Sequence, residues 1–99
     1  MSSQITQGET ISVTKNPITY IKAVPLKNPD ELTKLKSEIK NGNILIVKIT
    51  PLAMKSIEQV KSSIDELKTY CESMGGDIAR LGEERIVLTP QHIKIWRKK

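Results

Sequence analysis

Hydrophobic and polar positions change their period several times along the chain, and each change marks a predicted element. The sequence ITYIKAV, residues 18–24, alternates and is rich in β-branched residues, which predicts a strand ending at Pro25. NPDELTKLKSEIKNG follows with apolar residues at helical spacing, Asn28 as a cap and Gly42 just past the end. This second segment therefore predicts a surface helix with one narrow apolar face.

The segment NILIVKI, residues 43–49, is a nearly continuous apolar run and predicts a strand. Because strand side chains alternate, Leu45 and Val47 share one face while Ile44 and Ile46 share the other. A strand with two apolar faces requires cover on both sides. We therefore predict a homodimer that forms through the sheet and buries Ile44 and Ile46, with Ile86 as a further candidate for the same interface.

A long helix follows, with apolar residues spaced by three and four positions from Ile57 to Met74. Its start is open, because Thr50 followed by proline and Ser56 followed by Gln59 are both helix-start signals. The apolar seam is too short to argue for a coiled coil, so we expect the helix to pack on a sheet. Cys71 lies in this seam and is interpreted as a core residue.

The sequence GGDIARLGEERIVLTP, residues 75–90, is the most sharply patterned part of the chain. Gly75 and Gly76 end the helix, and at least one of them is expected to have positive φ. DIARL and RIVLT predict a hairpin around Gly82, and Pro90 closes its second strand. HIKIW, which comes next, is a candidate for a last strand or an edge extension.

The predicted order β-α-β-α-β-β favours an α/β (α+β) two-layer sandwich, with two helices on one face of a mixed sheet. We expect a polar, flexible N-terminal segment at 1–16, a single globular domain at 17–96 and a basic tail at 97–99. The one cysteine excludes an internal disulfide, and no apolar run is long enough for a signal peptide or a membrane span. A cytoplasmic location is therefore predicted.

Catalytic chemistry has little support in this sequence. His92 is the single histidine, and the acids fall at helix starts, exposed helix faces and a turn, where acids are common for local reasons. Gly75 and Gly76 follow a helix, whereas phosphate-binding glycines precede one. We predict no catalytic residue, no metal and no cofactor.

The segment after the second helix resembles the signature of the SepF family of cell-division proteins. That family has a Gly-Asp-Ile-x-Lys/Arg-hydrophobic-Gly strand followed by an aliphatic or aromatic strand that ends in Thr-Pro or Ala-Pro. The matching positions are Gly76, Asp77, Ile78, Arg80, Leu81 and Gly82 in the first part, and Ile86, Val87, Leu88, Thr89 and Pro90 in the second. More loosely, the resemblance runs from about residue 20 to residue 90 and is nearest to archaeal-style members.

The resemblance implies a dimeric, non-enzymatic adaptor that acts at the division site. SepF-like proteins bind the C-terminal peptide of the tubulin-like GTPase FtsZ and tether division filaments to the membrane through an N-terminal amphipathic helix. Residues 1–17 are too polar for such a helix, so we predict no membrane anchor in this chain.

The same resemblance predicts a peptide groove between the second helix and the hairpin. Arg80 has the family's basic strand position and would attract an acidic or C-terminal carboxylate group. Ile86 stands where many members have Phe, and with Leu88 it would offer apolar contact from the exposed side of the hairpin. As an alternative, Ile86 and Leu88 fill the dimer interface while Arg80 pairs with Glu58, Glu72 or an acid of the turn.

Nucleic-acid binding is the second functional hypothesis. The formal net charge of +5 allows it, and Alba-like chromatin proteins have a similar length and a related element order. The lysines form no single stripe, however, and aromatic residues are only 3% of the chain, which disfavours stacking on bases. We therefore rank binding of a division-protein peptide above binding of DNA or RNA.

Overall fold

The computed structural model describes residues 18–98, which form one mixed four-stranded sheet with helices packed on one side. The strands are β1 (Ile21–Pro25), β2 (Ile44–Lys48), β3 (Asp77–Leu81) and β4 (Arg85–Thr89). Their order is β1-β2-β4-β3, with β1 parallel to β2 and the other pairs antiparallel. The predicted α+β fold is confirmed, whereas the predicted flexible segment 1–16 lies outside the described residues.

The described chain has three helices, one more than the sequence predicts. A 3-10 turn (Pro29–Glu31) leads into α1 (Leu32–Lys40), α2 is the short helix Thr50–Ala53, and α3 is Ile57–Ser73. The two competing start signals therefore begin two separate helices. In the second of them, the Ser56 hydroxyl accepts a hydrogen bond from the Gln59 N–H at 3.1 Å.

The core lies between the helices and one face of the sheet. In the pairing of β2 with β4, Leu45 is opposite Leu88 and Val47 is opposite Ile86. These four side chains pack with the apolar faces of the helices, and the buried set includes Leu26, Leu32, Leu35, Ile39, Leu45, Val47, Ile49, Leu52, Val60, Leu67, Cys71, Ile86 and Leu88. The interpretation of Cys71 as a core residue is confirmed, whereas Ile57 from the same seam is 57% exposed.

The predicted position of Ile86 and Leu88 on an exposed side of the hairpin is wrong. Both side chains point toward the helices and are almost completely buried, with 1% and 0% exposure. The register decides this, because the residues opposite them on β2 are core residues. Ile86 therefore cannot share a dimer interface with Ile44 and Ile46, which lie on the other face of the sheet.

That other face, here called the outer face, is turned away from the helices and carries an apolar row across all four strands. Ile46 pairs with Ala23 on one side and Val87 on the other, and Val87 pairs with Ala79. Ile44 lies beside this row and, like Ile46, is only half-buried. The outer face thus presents contiguous apolar surface that the described chain does not cover.

The two glycines after α3 have different roles. Gly75 has φ of 82°, which confirms the predicted left-handed residue at this helix end. Gly76 donates its N–H to the carbonyl of Cys71 at 2.8 Å and passes very close to β4. A Cβ atom built on Gly76 would lie 2.0 Å from the carbonyl oxygen of Thr89, so this position excludes every side chain.

The segment HIKIW does not form a strand. After Pro90 the chain turns at Gln91 and His92 and continues without regular structure to residue 98. His92 has φ of 73° and donates its N–H to the carbonyl of Gly75 at 3.3 Å. Hydrogen bonds from Lys94, Ile95 and Arg97 hold the last residues against the start of β3, where they add no strand to the sheet.

Candidate functional site

A groove of about 190 Å³ lies between α3 and β3. It has an apolar floor with a cation on each wall, and its lining residues are Ile64, Lys68, Ile78, Ala79, Arg80 and Ile86. No acidic side chain is among these lining residues. The groove therefore favours a ligand that has apolar groups together with negative charge.

Local geometry explains why these residues meet. Ile64 and Lys68 are four positions apart on α3, so their side chains occupy the same helix face. Ile78 and Arg80 are two positions apart on β3, so both point toward the helices. In the part of the chain that the structure describes, β3 is an edge strand with a neighbour on one side only, which leaves the groove open along the edge of the sheet.

Arg80 is exposed and contacts the hairpin turn. Its Nη2 donates to the carbonyl of Glu83 at 3.1 Å and its Nε to the carbonyl of Gly82 at 3.4 Å. The alternative pairing of Arg80 with a carboxylate is therefore not the observed arrangement. A guanidinium has five N–H donors, so Arg80 keeps donors for a negatively charged ligand.

The apolar contacts predicted for the groove require a correction. Ile86 forms part of its floor, but Leu88 is fully buried in the core and does not line it. Ile64 and Ile78, which were not among the predicted groove contacts, supply the accessible apolar surface instead. Helical spacing from Ile64 to Lys68 and strand alternation from Ile78 to Arg80 could have indicated them.

The start of β3 is covered by the C-terminal segment, and Asp77 is the centre of this contact. The Asp77 carboxylate accepts hydrogen bonds from the Ile78 N–H at 2.8 Å and the Ile95 N–H at 2.9 Å. It also forms an ion pair with Arg97, in which Nη1 lies 2.9 Å from Oδ2. Arg97, expected to belong to a solvated tail, is thus attached to the edge strand.

These hydrogen bonds favour the ionised form of Asp77. Hydrogen bonding from Arg97 holds the pKa of the carboxyl well below its ordinary value of 3.8. Bonds from the backbone of Ile95 and Ile78 act in the same direction, although partial burial opposes them. The Asp77 side chain is 16% exposed, so its charge is only partly screened by solvent.

We expect Asp77→Asn to lower the free energy of unfolding by about 1–3 kcal/mol at neutral pH, because charge-assisted hydrogen bonds are lost. The folded-state pKa lies below the unfolded one, so this stabilisation is complete above the unfolded pKa and is lost as the pH falls through the folded pKa. The gap between wild type and variant should therefore shrink below about pH 4 in urea-unfolding experiments.

The comparison of the two proteins isolates Asp77. Glu31, bonded to the backbone of Lys27, and Glu38, bonded to Lys22, also have lowered pKa values. Both are present in the wild type and in the variant, so their effect on stability cancels from the difference between the two proteins. A gap that stays constant from pH 7 to pH 2 would contradict the assignment.

Cys71 on α3 is fully buried in the core. Burial raises the pKa of the Cys71 thiol to about 11, which makes it a poor nucleophile near neutral pH. Residues 18–98 contain no cluster of three or more His, Cys, Asp or Glu side chains that could bind a metal ion. In the same part of the chain, none of the helices has the length and apolar content needed to cross a bilayer.

Comparison with known proteins gives a consistent result. A family model described as "Cell division protein SepF" matches residues 21–95. The cell division protein SepF of Haloferax volcanii is 32% identical over 69 residues, which are 70% of this chain and 58% of that protein. The chain thus spans well under two thirds of that relative. These matches confirm the resemblance to SepF and give no support to the Alba-like alternative.

Solved structures share the fold. A SepF-like protein from Pyrococcus furiosus has a TM-score of 0.74 and 34% identity, covering 84% of this chain and 100% of that one. One from Archaeoglobus fulgidus has a TM-score of 0.73 and 30% identity, with 81% and 95% covered. SepF from Methanobrevibacter smithii, solved in complex with FtsZ-CTD, has a TM-score of 0.69 at 18% identity, with 80% and 99% covered. The last likeness concerns the fold alone.

Proposed function

The chain belongs to the SepF family of cell-division proteins, and from this premise we propose that it is a non-enzymatic adaptor whose groove binds the C-terminal peptide of FtsZ. The observation that carries the proposal is an apolar groove, open along an edge strand, with Lys68 and Arg80 on its two walls. The complex of the Methanobrevibacter smithii protein with FtsZ-CTD supports this choice of partner.

The groove suits an extended peptide more than a small molecule. Ile64 and Ile78 offer apolar surface to alternate side chains of a strand-like ligand, and Ile86 closes the floor. An acidic side chain or a C-terminal carboxylate would lie between Lys68 and Arg80. A linear peptide must be ordered when it binds, so micromolar affinity is expected.

The proposal includes a homodimer through the outer face. The apolar row centred on Ile46 and Val87, with Ile44 beside it, is the surface that a second copy would bury. Two copies related by a twofold axis would each supply the same row, as self-complementary interfaces require. The groove lies on the helix side of the sheet, so a dimer formed in this way leaves the groove accessible.

We further assign the adaptor to the cytoplasm, at the division site, with residues 17–96 as its single globular domain. Its action depends on binding rather than chemistry, since two grooves in a dimer can hold two FtsZ tails at once. Linking two weak sites in this way raises the overall affinity for a filament that displays many tails.

Charge reversal at the groove is the direct test. Arg80→Glu places a negative charge where the proposal requires an acidic group of the peptide, so binding should weaken by roughly tenfold or more. The measurement is fluorescence polarisation or calorimetry with the C-terminal FtsZ peptide of the source organism. Lys34→Glu, an exposed position on α1, reverses the same charge away from the groove and serves as the control.

Wild-type binding that is absent, or equal loss of binding in both variants, would refute the groove. Circular dichroism of each variant checks that the fold is retained, which is expected because Arg80 is exposed and its side chain donates hydrogen bonds to exposed carbonyl groups of the turn.

A further inference from the structure

The open edge of β3 is blocked at one end by side chains in place of a neighbouring strand. Ile78 presents its backbone groups away from β4: its N–H donates to Asp77 Oδ1 at 2.8 Å, and its carbonyl accepts from Arg97 Nη2 at 2.7 Å. In a paired strand, the backbone of the neighbouring strand would form hydrogen bonds with both groups. Here the carboxylate of Asp77 and the guanidinium of Arg97 form these hydrogen bonds instead.

Residues 94–97, here called the C-terminal strap, hold this arrangement in place. Lys94 Nζ donates to the carbonyl of Gly76 at 3.0 Å, the Ile95 N–H donates to Asp77, and Arg97 binds both Asp77 and Ile78. Just before the strap, the Thr89 hydroxyl donates to the carbonyl of Ile93 at 2.6 Å. Every one of these bonds involves at least one side chain, so the strap is not a fifth strand.

Beyond the strap, no other strand within residues 18–98 pairs with this edge. Since outward-pointing residues alternate along a strand, Arg80 presents its backbone N–H and carbonyl at the same edge as Ile78. The groove contains Ile78 and Arg80, so a peptide that fills it runs alongside this edge. Pairing with Arg80 alone is possible with the strap in place, but pairing that continues to Ile78 requires the departure of Arg97.

We propose that the C-terminal strap is a detachable competitor of the bound peptide, which must displace Arg97 to pair with the whole edge of β3. This inference rests on the proposed peptide-binding function of the groove. It assigns a regulatory role to a segment that contributes nothing to the groove lining.

The strap has the properties of a contact that can open. Its side chains remain largely in solvent, with Trp96 83% exposed and the Arg97 side chain 54% exposed. Because the Arg97 partner is exposed, solvent and salt screen this ion pair more than they would a buried one. A peptide strand can replace the lost bonds by continuous backbone pairing, which the strap does not make. The free energy needed to detach the strap therefore weakens peptide binding only modestly.

The test measures the same FtsZ peptide against strap variants. Arg97→Ala removes the contacts with Asp77 and Ile78 and should tighten binding by roughly three- to tenfold, as expected for an exposed ion pair and its hydrogen bonds. Arg97→Lys keeps the charge but loses the forked geometry, and its affinity should fall between those of wild type and Arg97→Ala. Lys98→Ala removes one positive charge from the neighbouring exposed position and should leave affinity unchanged.

Amide hydrogen exchange of the wild-type protein supplies a second readout that needs no variant. Peptide binding should speed exchange of the Ile95 N–H, because its acceptor Asp77 is released from the strap, while amides within the hairpin exchange more slowly. A strap that merely stabilises the fold would keep Ile95 protected in the complex.

The outcomes separate this inference from the proposed function. If wild type binds the peptide and Arg97→Ala binds equally or more weakly, the competitor role is overturned, but the proposal that the groove binds the peptide is retained. Weaker binding of Arg97→Ala would make Arg97 a recognition residue. If neither wild type nor any strap variant binds, the proposed function fails and this inference with it. A chain shortened to end at Ile93 should bind at least as tightly as Arg97→Ala.

Discussion

Replacing Gly76 with alanine is expected to destabilise the protein by about 3 kcal/mol or more, although it adds a single methyl group. The added Cβ atom would lie 2.0 Å from the carbonyl oxygen of Thr89 and 3.0 Å from that of Pro90. Both neighbours are backbone atoms, so no side-chain rotation relieves the clash. Either the end of α3 or the end of β4 must move, and both contribute to the core.

Urea unfolding followed by circular dichroism measures this effect. Gly82→Ala is the matched control: Gly82 has φ of 72°, but its Cβ atom would meet nothing within 4 Å. Only the backbone strain remains there, which costs about 1 kcal/mol. Equal losses in the two variants would mean that the close approach of Gly76 to β4 contributes nothing to stability.

Changing Ile46 to lysine is expected to convert the proposed dimer into a monomer. Ile46 lies at the centre of the apolar row on the outer face, so two lysines would enter the middle of the proposed interface. Burial of unpaired charge should weaken dimerisation by at least about a hundredfold, or about 3 kcal/mol. The chain itself should still fold, because Ile46 is only half-buried within one copy.

Light scattering at high micromolar concentration should report twice the chain mass of 11.1 kDa for wild type and that mass itself for Ile46→Lys. Met54→Lys makes a comparable substitution at a residue that is 87% exposed and not on the sheet, and this variant should stay dimeric. A monomeric wild-type protein, or a dimeric Ile46→Lys protein, would refute the interface.

Much of the fold follows from local signals in the sequence. Asn28 and Ser56 mark helix starts, Gly75 ends α3 with positive φ, and Pro90 lies directly after β4. Each of these residues acts through its own backbone geometry or through partners a few positions away. The type and approximate bounds of most elements are therefore readable from the chain. The sequence left the start of the second helix open between Thr50 and Ser56, and the structure shows that each begins its own helix.

The face on which the hairpin residues lie could not be predicted in this way. Alternation separates Ile86 and Leu88 from Val87, but both sets are apolar, so the pattern does not say which set turns toward the helices. The register of β4 against β2 decides it, by placing Ile86 opposite Val47 and Leu88 opposite Leu45. The same register buries Leu88 in the core and so keeps it out of the groove.

The C-terminal strap depends entirely on tertiary structure. Asp77 belongs to a local motif that the sequence indicates, and Arg97 lies in a cluster of cations typical of a solvated terminus. Their ion pair forms because the chain turns at His92 and returns along the edge of β3. Local preferences act over a few residues, whereas a contact across twenty positions requires the path of the whole chain, which only the packed sheet and helices determine.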